Sequence, residues 1–252
     1  MDAARALLLN IITSESNHLE LYTGPVERPE FSDVIAAAAH FHELVDDAVL
    51  VGGTAAATHA GHRVSFDAVH ELVDLRERFD ALLDALEATD GWATARVRRP
   101  VLVLGRLDGI ETGIRQLIRR RPLEVEEANV DGRRLRIPTL EEMARIKAWL
   151  VLRRNAVRDH LDLVALADRL GDRALPVLAQ LDTYYADQLG PGGQRVVTQL
   201  AKQLAEPRPY DLDDLSRYRK LVPRWRTWSA VETACRDLAA RLLDHLAAGE
   251  ER

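Results

Sequence analysis

With 252 residues, 47% of them hydrophobic and 29% charged, the chain can bury a full core as one large domain or two modest ones. A single cysteine, Cys235, excludes an internal disulfide framework and a cysteine-built zinc site. No stretch approaches a membrane span and the N-terminus lacks a secretory pattern, so the cytoplasm is the expected compartment. The net charge of −6 hides an asymmetry: residues 96–158 hold sixteen Lys and Arg against eight Asp and Glu, a basic centre between acidic ends suited to a polyanion.

In chain order, Asp2–Ile12 reads as a short amphipathic helix, followed by polar Thr13–Asn17 and a loop marked by Gly24, Pro25 and Pro29. Ser32-Asp33 is expected to cap a helix over Val34–Val45. His40 and His42 stand two apart there, on different helical faces, which argues against a shared metal. Val49–Val51 is a short apolar strand ending in Gly52-Gly53; small residues from Thr54 to Thr58 suit a tightly packed helix, and Val64–Val69 reads as a second strand. Glu71–Thr89 carries Leu72, Leu75, Phe79, Leu82, Leu83 and Leu86 at helical spacing.

Strand-like segments follow at Trp92–Val97, Val101–Leu104, Ile114–Ile118 and Leu123–Val130, with Asp131-Gly132 turning the last into Arg133–Ile137. From Pro138 the pattern is helical. Thr139 and Glu142 form a capping box for Leu140–Arg154, and further helices are expected at Val157–Leu170, Ala174–Gln188, Gln194–Ala205 and Trp225–Ala248. Breaks fall at Pro191–Gly193 and Pro207–Pro209. The expected fold is α+β: a small mixed-sheet domain over residues 1–137 and a helical domain over 138–252. Tyr184, Tyr185, Trp225 and Trp228 are read as core rather than as base-stacking residues.

A strand ending in two glycines and feeding a helix brings bare N–H groups to an anion, and the helix dipole favours a phosphate there. Asp67 on the following strand could hold a divalent metal against that phosphate. Ser65, Asp67 and Val69 share one face of that strand by the two-residue period.

Gly52-Gly53-Thr54-Ala55, followed by Arg63, Ser65 and Asp67, resembles the signature of the DNA polymerase beta-type nucleotidyltransferases, and within them the AbiEii toxin family. The family carries a second acid two residues after the first, where this chain has Val69. The order Glu142, Lys147, Arg153-Arg154, Arg158-Asp159 and Asp162 matches the family's helical element, and the resemblance spans about residues 34 to 168. It implies a small nucleotidyltransferase core, with Gly52, Gly53, Thr54, Arg63, Arg153, Arg154 and Asp162 binding substrate.

The resemblance further implies that Ser65, Asp67, Lys147 and Asp159 are catalytic, with Lys147 neutralising the triphosphate and Asp162 supporting the site by hydrogen bonds to neighbouring basic residues. A further metal carboxylate is expected on a later strand, where Glu126 matches and Glu124 faces the same way. The implied metal is Mg2+ or Mn2+, held on Asp67 and Glu126. The implied partners are a nucleoside triphosphate, an RNA acceptor such as the tRNA 3′ end, and a cognate antitoxin. With Val69 in place of an acid, the alternative is a nucleotide- or RNA-binding module with weakened or no turnover.

Overall fold

The computed structural model describes residues 29–188, 193–218 and 220–250. The expected helix at Asp2–Ile12, the polar break after it, Gly24-Pro25 and Pro191-Gly192 lie outside the described residues.

The protein is α+β, with a mixed sheet in the N-terminal half and helices in the C-terminal half. Helix α1 (Phe31–Leu44) leads to β1 (Val49–Leu50), α2 (Gly52–Ala60), β2 (Asp67–Leu72) and α3 (Phe79–Glu87). Then come β3 (Trp92–Arg98), β4 (Leu102–Leu107) and β5 (Ile110–Gln116), and the hairpin of β6 (Val125–Val130) and β7 (Arg133–Pro138). The helical half holds α4 (Leu140–Arg154), α5 (Val157–Leu170), α6 (Ala174–Ala179), α7 (Leu181–Tyr184), α8 (Val196–Ala205) and α9 (Trp228–Glu250).

The five-stranded sheet has the order β1-β2-β5-β4-β3, while β6 and β7 pair only with each other. Strands β2 and β5 are parallel, and the other neighbours run antiparallel. Alternation along β2 decides what each face carries. Ala68, His70 and Leu72 point to the side of α1 and α3, where His70 stacks on Phe41 at 4.2 Å among Leu75, Phe79, Leu82 and Leu86. Ala68 joins Val34, Ile35, Leu50, Leu135 and Ile137, which fixes the β6–β7 hairpin beside α1 and β1. Asp67, Val69 and Glu71 point the other way. On that side Ala55 and Ala56 of α2 pack against Met143, Ala144, Ile146 and Leu150 of α4. The helical half has its own core, including Leu161, Leu178, Leu200, Trp225 and Leu242.

Several element boundaries differ from the sequence expectation. Helix α1 begins at Phe31, because Glu30 is its N-cap and exchanges hydrogen bonds with Asp33. Strand β2 starts only at Asp67; before it, Arg63 and Ser65 turn to polar partners instead of a ladder. It continues through Leu72 in register with β5, so the expected helix from Glu71 begins at Phe79. Between them Arg78 binds Asp47 and Asp74 and holds a turn.

Asp108 and Gly109, at φ 53° and 81°, make the two-residue turn joining β4 to β5, as Asp131-Gly132 joins β6 to β7. Strand β5 therefore starts at Ile110, not Ile114. Thr139 caps α4 by accepting from the Glu142 amide at 3.2 Å, but the Glu142 side chain goes to Arg119 and Arg145 and closes no capping box. The expected helix over Ala174–Gln188 breaks at Gln180, and the last helix starts at Trp228.

Candidate functional site

Two faces meet where β1 ends. Gly52 has φ 75°, a conformation that needs glycine, and opens α2. A Cβ on Gly53 would come within 2.6 Å of Arg63 Nη2 and 2.6 Å of Ser65 Oγ. Glycine at position 53 thus lets a guanidinium and a hydroxyl pack against the first turn of a nine-residue helix, where any side chain would collide with both. Thr54 is buried and donates its hydroxyl to the Asp67 carbonyl at 2.6 Å, tying α2 to the start of β2. Ser65 donates to Asp67 Oδ1 at 2.7 Å, which orients the carboxylate toward the glycines.

The parallel ladder sets what stands beside Asp67. Cα partners on β2 and β5 are Asp67 with Glu111, Val69 with Gly113, and Glu71 with Arg115. In-register partners point to the same face, so the site face presents three rows. The first holds two carboxylates, and Arg106 lies 4.0 Å from Glu111. The second row is Val69 with Gly113, and a Cβ on Gly113 would run into Leu104 at 2.4 Å. The third is a buried ion pair, Arg115 to Glu71 at 2.8 Å. Glu126, the expected partner of Asp67, is on the separate hairpin, 3.9 Å from His59 Nδ1. Glu124 is bonded to Arg145 and Tyr184. The acid next to Asp67 in the sheet is Glu111, which the sequence reading passed over because it began that strand only at Ile114.

Behind the cradle lies a buried charge cluster. Asp162 accepts from Arg63 Nε at 2.7 Å and Nη2 at 3.0 Å, and bonds His62 Nε2 at 2.7 Å. Lys147 Nζ is 2.8 Å from Asp162 and 3.5 Å from Asp159. Arg154 forks onto Asp159 at 2.9 and 2.6 Å. All six side chains are buried, Lys147 at 1% exposure and both aspartates at 0%. Burial opposes ionisation of Asp162, yet Arg63, Lys147 and the His62 hydrogen bond hold its carboxyl well below the usual range. Asp159 is lowered in the same way, against burial, by Arg154, Lys147 and Arg158.

Burial lowers the His62 pKa despite its bond to Asp162, so the ring is neutral near pH 7. The six groups then carry three cations and two anions, an excess positive charge directly behind Gly53.

The structure thus gathers Gly52, Gly53, Thr54, Arg63, Ser65 and Asp67 at one end of the sheet. It links them to Asp162, Lys147, Asp159 and Arg154 through Arg63. Asp162 accepts hydrogen bonds from Arg63 and pairs with Lys147. Lys147 and Arg154 lie inside the cluster, held by aspartates, and Arg63 is the cation that reaches the glycines. Arg153 sits over the Trp149 ring at 5.5 Å. His62 was missed by sequence reasoning, and its only signal was its place immediately before Arg63.

Among the described residues no three His, Cys, Asp or Glu side chains come together as a metal cage. The row of Asp67 and Glu111 suits a single Mg2+ or Mn2+ completed by substrate phosphates, the usual arrangement for a hard ion on one or two carboxylates. With Val69 and Gly113 in the next row, the face offers nothing to bridge a second ion.

No family model matches the chain. Over 180 residues it is 34% identical to the heme uptake protein MmpL11 of Mycobacterium tuberculosis and to the probable transport protein MmpL11 of Mycobacterium bovis. The MmpL11 of Mycobacterium leprae is 31% identical over 183 residues. The match with the first two covers 70% of this chain but only 17% of the relatives' length. Among solved structures, a nucleotidyltransferase-like protein of Paracoccidioides brasiliensis aligns with TM-score 0.44 and 16% identity, covering 70% of this chain and 94% of its own. A putative nucleotidyltransferase from H. pylori aligns with TM-score 0.44 and 15% identity over 85% of this chain and 95% of its own.

Proposed function

We propose that the protein binds a nucleoside triphosphate at Gly52-Gly53-Thr54 and acts as a metal-dependent nucleotidyltransferase. The observation that carries this reading is the close packing at Gly53. A helix N-terminus, the Arg63 guanidinium and the Ser65 hydroxyl converge on it, and Ser65 is bonded to a carboxylate able to hold a metal. The phosphates would lie on the amides of α2, with Arg63 compensating their charge and Asp162 fixing Arg63. Asp67 and Glu111 would hold Mg2+ or Mn2+, which when bound would polarise the phosphate oxygens. Glu126 could approach only from the hairpin. Asp159, Asp162 and Lys147 act as positioning residues, and Ser65 orients Asp67.

The acceptor in this reading is RNA, with the tRNA 3′ end as the working case, in the manner of an AbiEii-type toxin controlled by an antitoxin. Arg120, Arg121 and the Arg133, Arg134 hairpin would supply phosphate contacts. Incubation with labelled nucleoside triphosphates and total tRNA under Mg2+ or Mn2+ tests it. Label should enter RNA and be lost in Asp67→Ala.

A second reading is favoured by the apolar row of Val69 and Gly113. The chain would keep nucleotide binding without turnover, as a module related to one part of larger transport proteins of the MmpL11 kind. Magnesium-dependent nucleotide binding with no transfer to any RNA would select it. Absence of nucleotide binding would sink both.

A further inference from the structure

Strand β3 changes faces partway along. Trp92 packs into the core under α1 and α3, and Thr94 donates to Glu87 of α3 at 3.2 Å. Simple alternation would send Arg96 and Arg98 the same way. The pairing with β4 slips instead: Thr94 stands opposite Gly105 but Arg96 opposite Leu104. This bulge leaves Ala95 as the extra residue and turns Arg96 and Arg98 to the other face of the sheet. That face is the one of Asp67. Leu104 lies there against Gly113, and the Cα partners run on from β3 through β4 and β5 to β2.

The three rows of the site face therefore continue across the sheet. Arg106 stands beyond Asp67 and Glu111, Leu104 and Arg96 beyond Val69 and Gly113, and Leu102 and Arg98 beyond Glu71 and Arg115. Arg98 and Arg96, two apart on one strand, are about 7 Å apart along it. Arg96 and Arg106 are diagonal neighbours across the strand pair, a further step of about 7–8 Å. The line ends beside the carboxylates, with Arg106 4.0 Å from Glu111 and the two side chains 41% and 42% exposed. Arg96 and Arg98 are partly exposed, and among the described residues Arg98 Nη1 has no hydrogen-bond partner. A guanidinium carries five N–H donors in a fork that matches phosphate.

We propose that this line is the track of the acceptor. Successive phosphates of one RNA strand would lie on Arg98, Arg96 and Arg106, and its 3′ end would reach the row of Asp67 and Glu111. The proposal rests on the RNA-acceptor reading above and adds a surface separate from the Arg133, Arg134 hairpin. Cations in single file at even steps fit one sugar-phosphate backbone, whereas a duplex presents two across a groove. An acidic protein segment would need neither even steps nor an end at the carboxylates.

The experiment is fluorescence anisotropy of the whole chain, in Mg2+ and over a range of salt. The probes are an eight-nucleotide single-stranded RNA, the same sequence as a duplex, and a polyglutamate peptide. Wild type is compared with Arg96→Gln/Arg98→Gln, with Arg96→Lys/Arg98→Lys, and with Arg236→Gln/Arg241→Gln on α9, all checked by circular dichroism. The glutamine pair on β3 should weaken single-strand binding tenfold or more at low salt. It should also reduce the slope of log affinity against log salt by about 1.4, the loss of two phosphate contacts. The lysine pair should stay within threefold of wild type and the α9 pair within twofold. Should the glutamine pair fail to fold, Arg96→Gln alone should reduce the slope by about 0.7. Crosslinks from a 4-thiouridine at the RNA 3′ end should fall on β2 or β5; crosslinks confined to β3 would overturn the proposal. RNA binding by wild type that the β3 and α9 pairs leave equally intact would remove the track and leave the RNA reading standing. Tighter binding of the duplex, or variant-sensitive binding of polyglutamate but not of RNA, would give the surface to another partner and overturn the proposal. A wild type that binds no RNA would overturn both.

Discussion

The two ends of the motif behave differently once folded. At the strand end, Gly53, Ser65 and Asp67 lie where α2 begins, and the Ser65 hydroxyl serves to aim one carboxylate. At the helix end, Lys147, Asp159, Asp162 and Arg154 face one another at 0–6% exposure, with donors and acceptors matched within the protein. A charged residue in a motif is therefore not by itself a substrate contact. The helix end fixes the geometry of Arg63, and the strand end is where a ligand can enter. Mutations should separate these roles by what they damage.

The largest effect is expected from acid, because buried groups must titrate. Burial lowers His70 to about 3, and His42 and His160 to about 4, from an ordinary value near 6.5. The unfolded chain then binds more protons than the folded one between pH 6.5 and 4. Stability is fully present above pH 6.5 and is lost as the pH falls toward 4, at up to about 4 kcal/mol per pH unit for the three rings together. Urea midpoints between pH 4.5 and 7.5 measure it; a flat profile would show that these rings reach water.

Next comes Asp162→Asn. Removing one anion from a buried cluster leaves Arg63 and Lys147 under-compensated, and about 3–5 kcal/mol of stability should be lost. Asp67→Asn, at the open end, should change stability by less than about 1 kcal/mol while abolishing metal-dependent nucleotide binding. Equal destabilisation by the two variants, read from urea melts, would erase the distinction between the ends.

Val69→Asp sharpens the comparison with the smallest structural change. Val69 faces the cradle, its Cβ about as far from a Cβ on Gly52 as ordinary packing allows, at 4.0 Å. An aspartate there would add a ligand one row from Asp67, so transfer activity or toxicity in cells should rise from weak or undetectable levels, with little change in stability. Robust transfer by the unmodified chain, unaffected by this change, would mean that Glu111 already supplies the missing acid.

Much of this was legible in the sequence. The strand–Gly-Gly–helix turn, the α+β division and the order of α4 and α5 followed from glycine, capping and periodicity. The charge cluster was only half legible: the spacing of Asp159 and Asp162 put them on one helical face. That Lys147 and Arg154 would be enclosed with them depends on how α4 meets α5 and the loop before β2. The acid beside Asp67 was not legible, because strand neighbours in a mixed sheet are set by a parallel crossover between β2 and β5. Leu123–Val130 looked like the next strand and instead became one arm of a separate hairpin. His70 gave no sign of burial, since an alternating strand can turn either face inward.

The central claim is that Gly53 lets Arg63 come close enough to α2 to serve as the cation of an anion cradle. Calorimetric titration of Mg2+-tripolyphosphate into wild type and Gly53→Val tests it most directly, with circular dichroism confirming that both are folded. A valine Cβ would collide with the Ser65 hydroxyl and with a guanidinium that Asp162 prevents from retreating. The account predicts binding by wild type and at least a tenfold loss in the variant; undiminished binding in a folded Gly53→Val protein would contradict it.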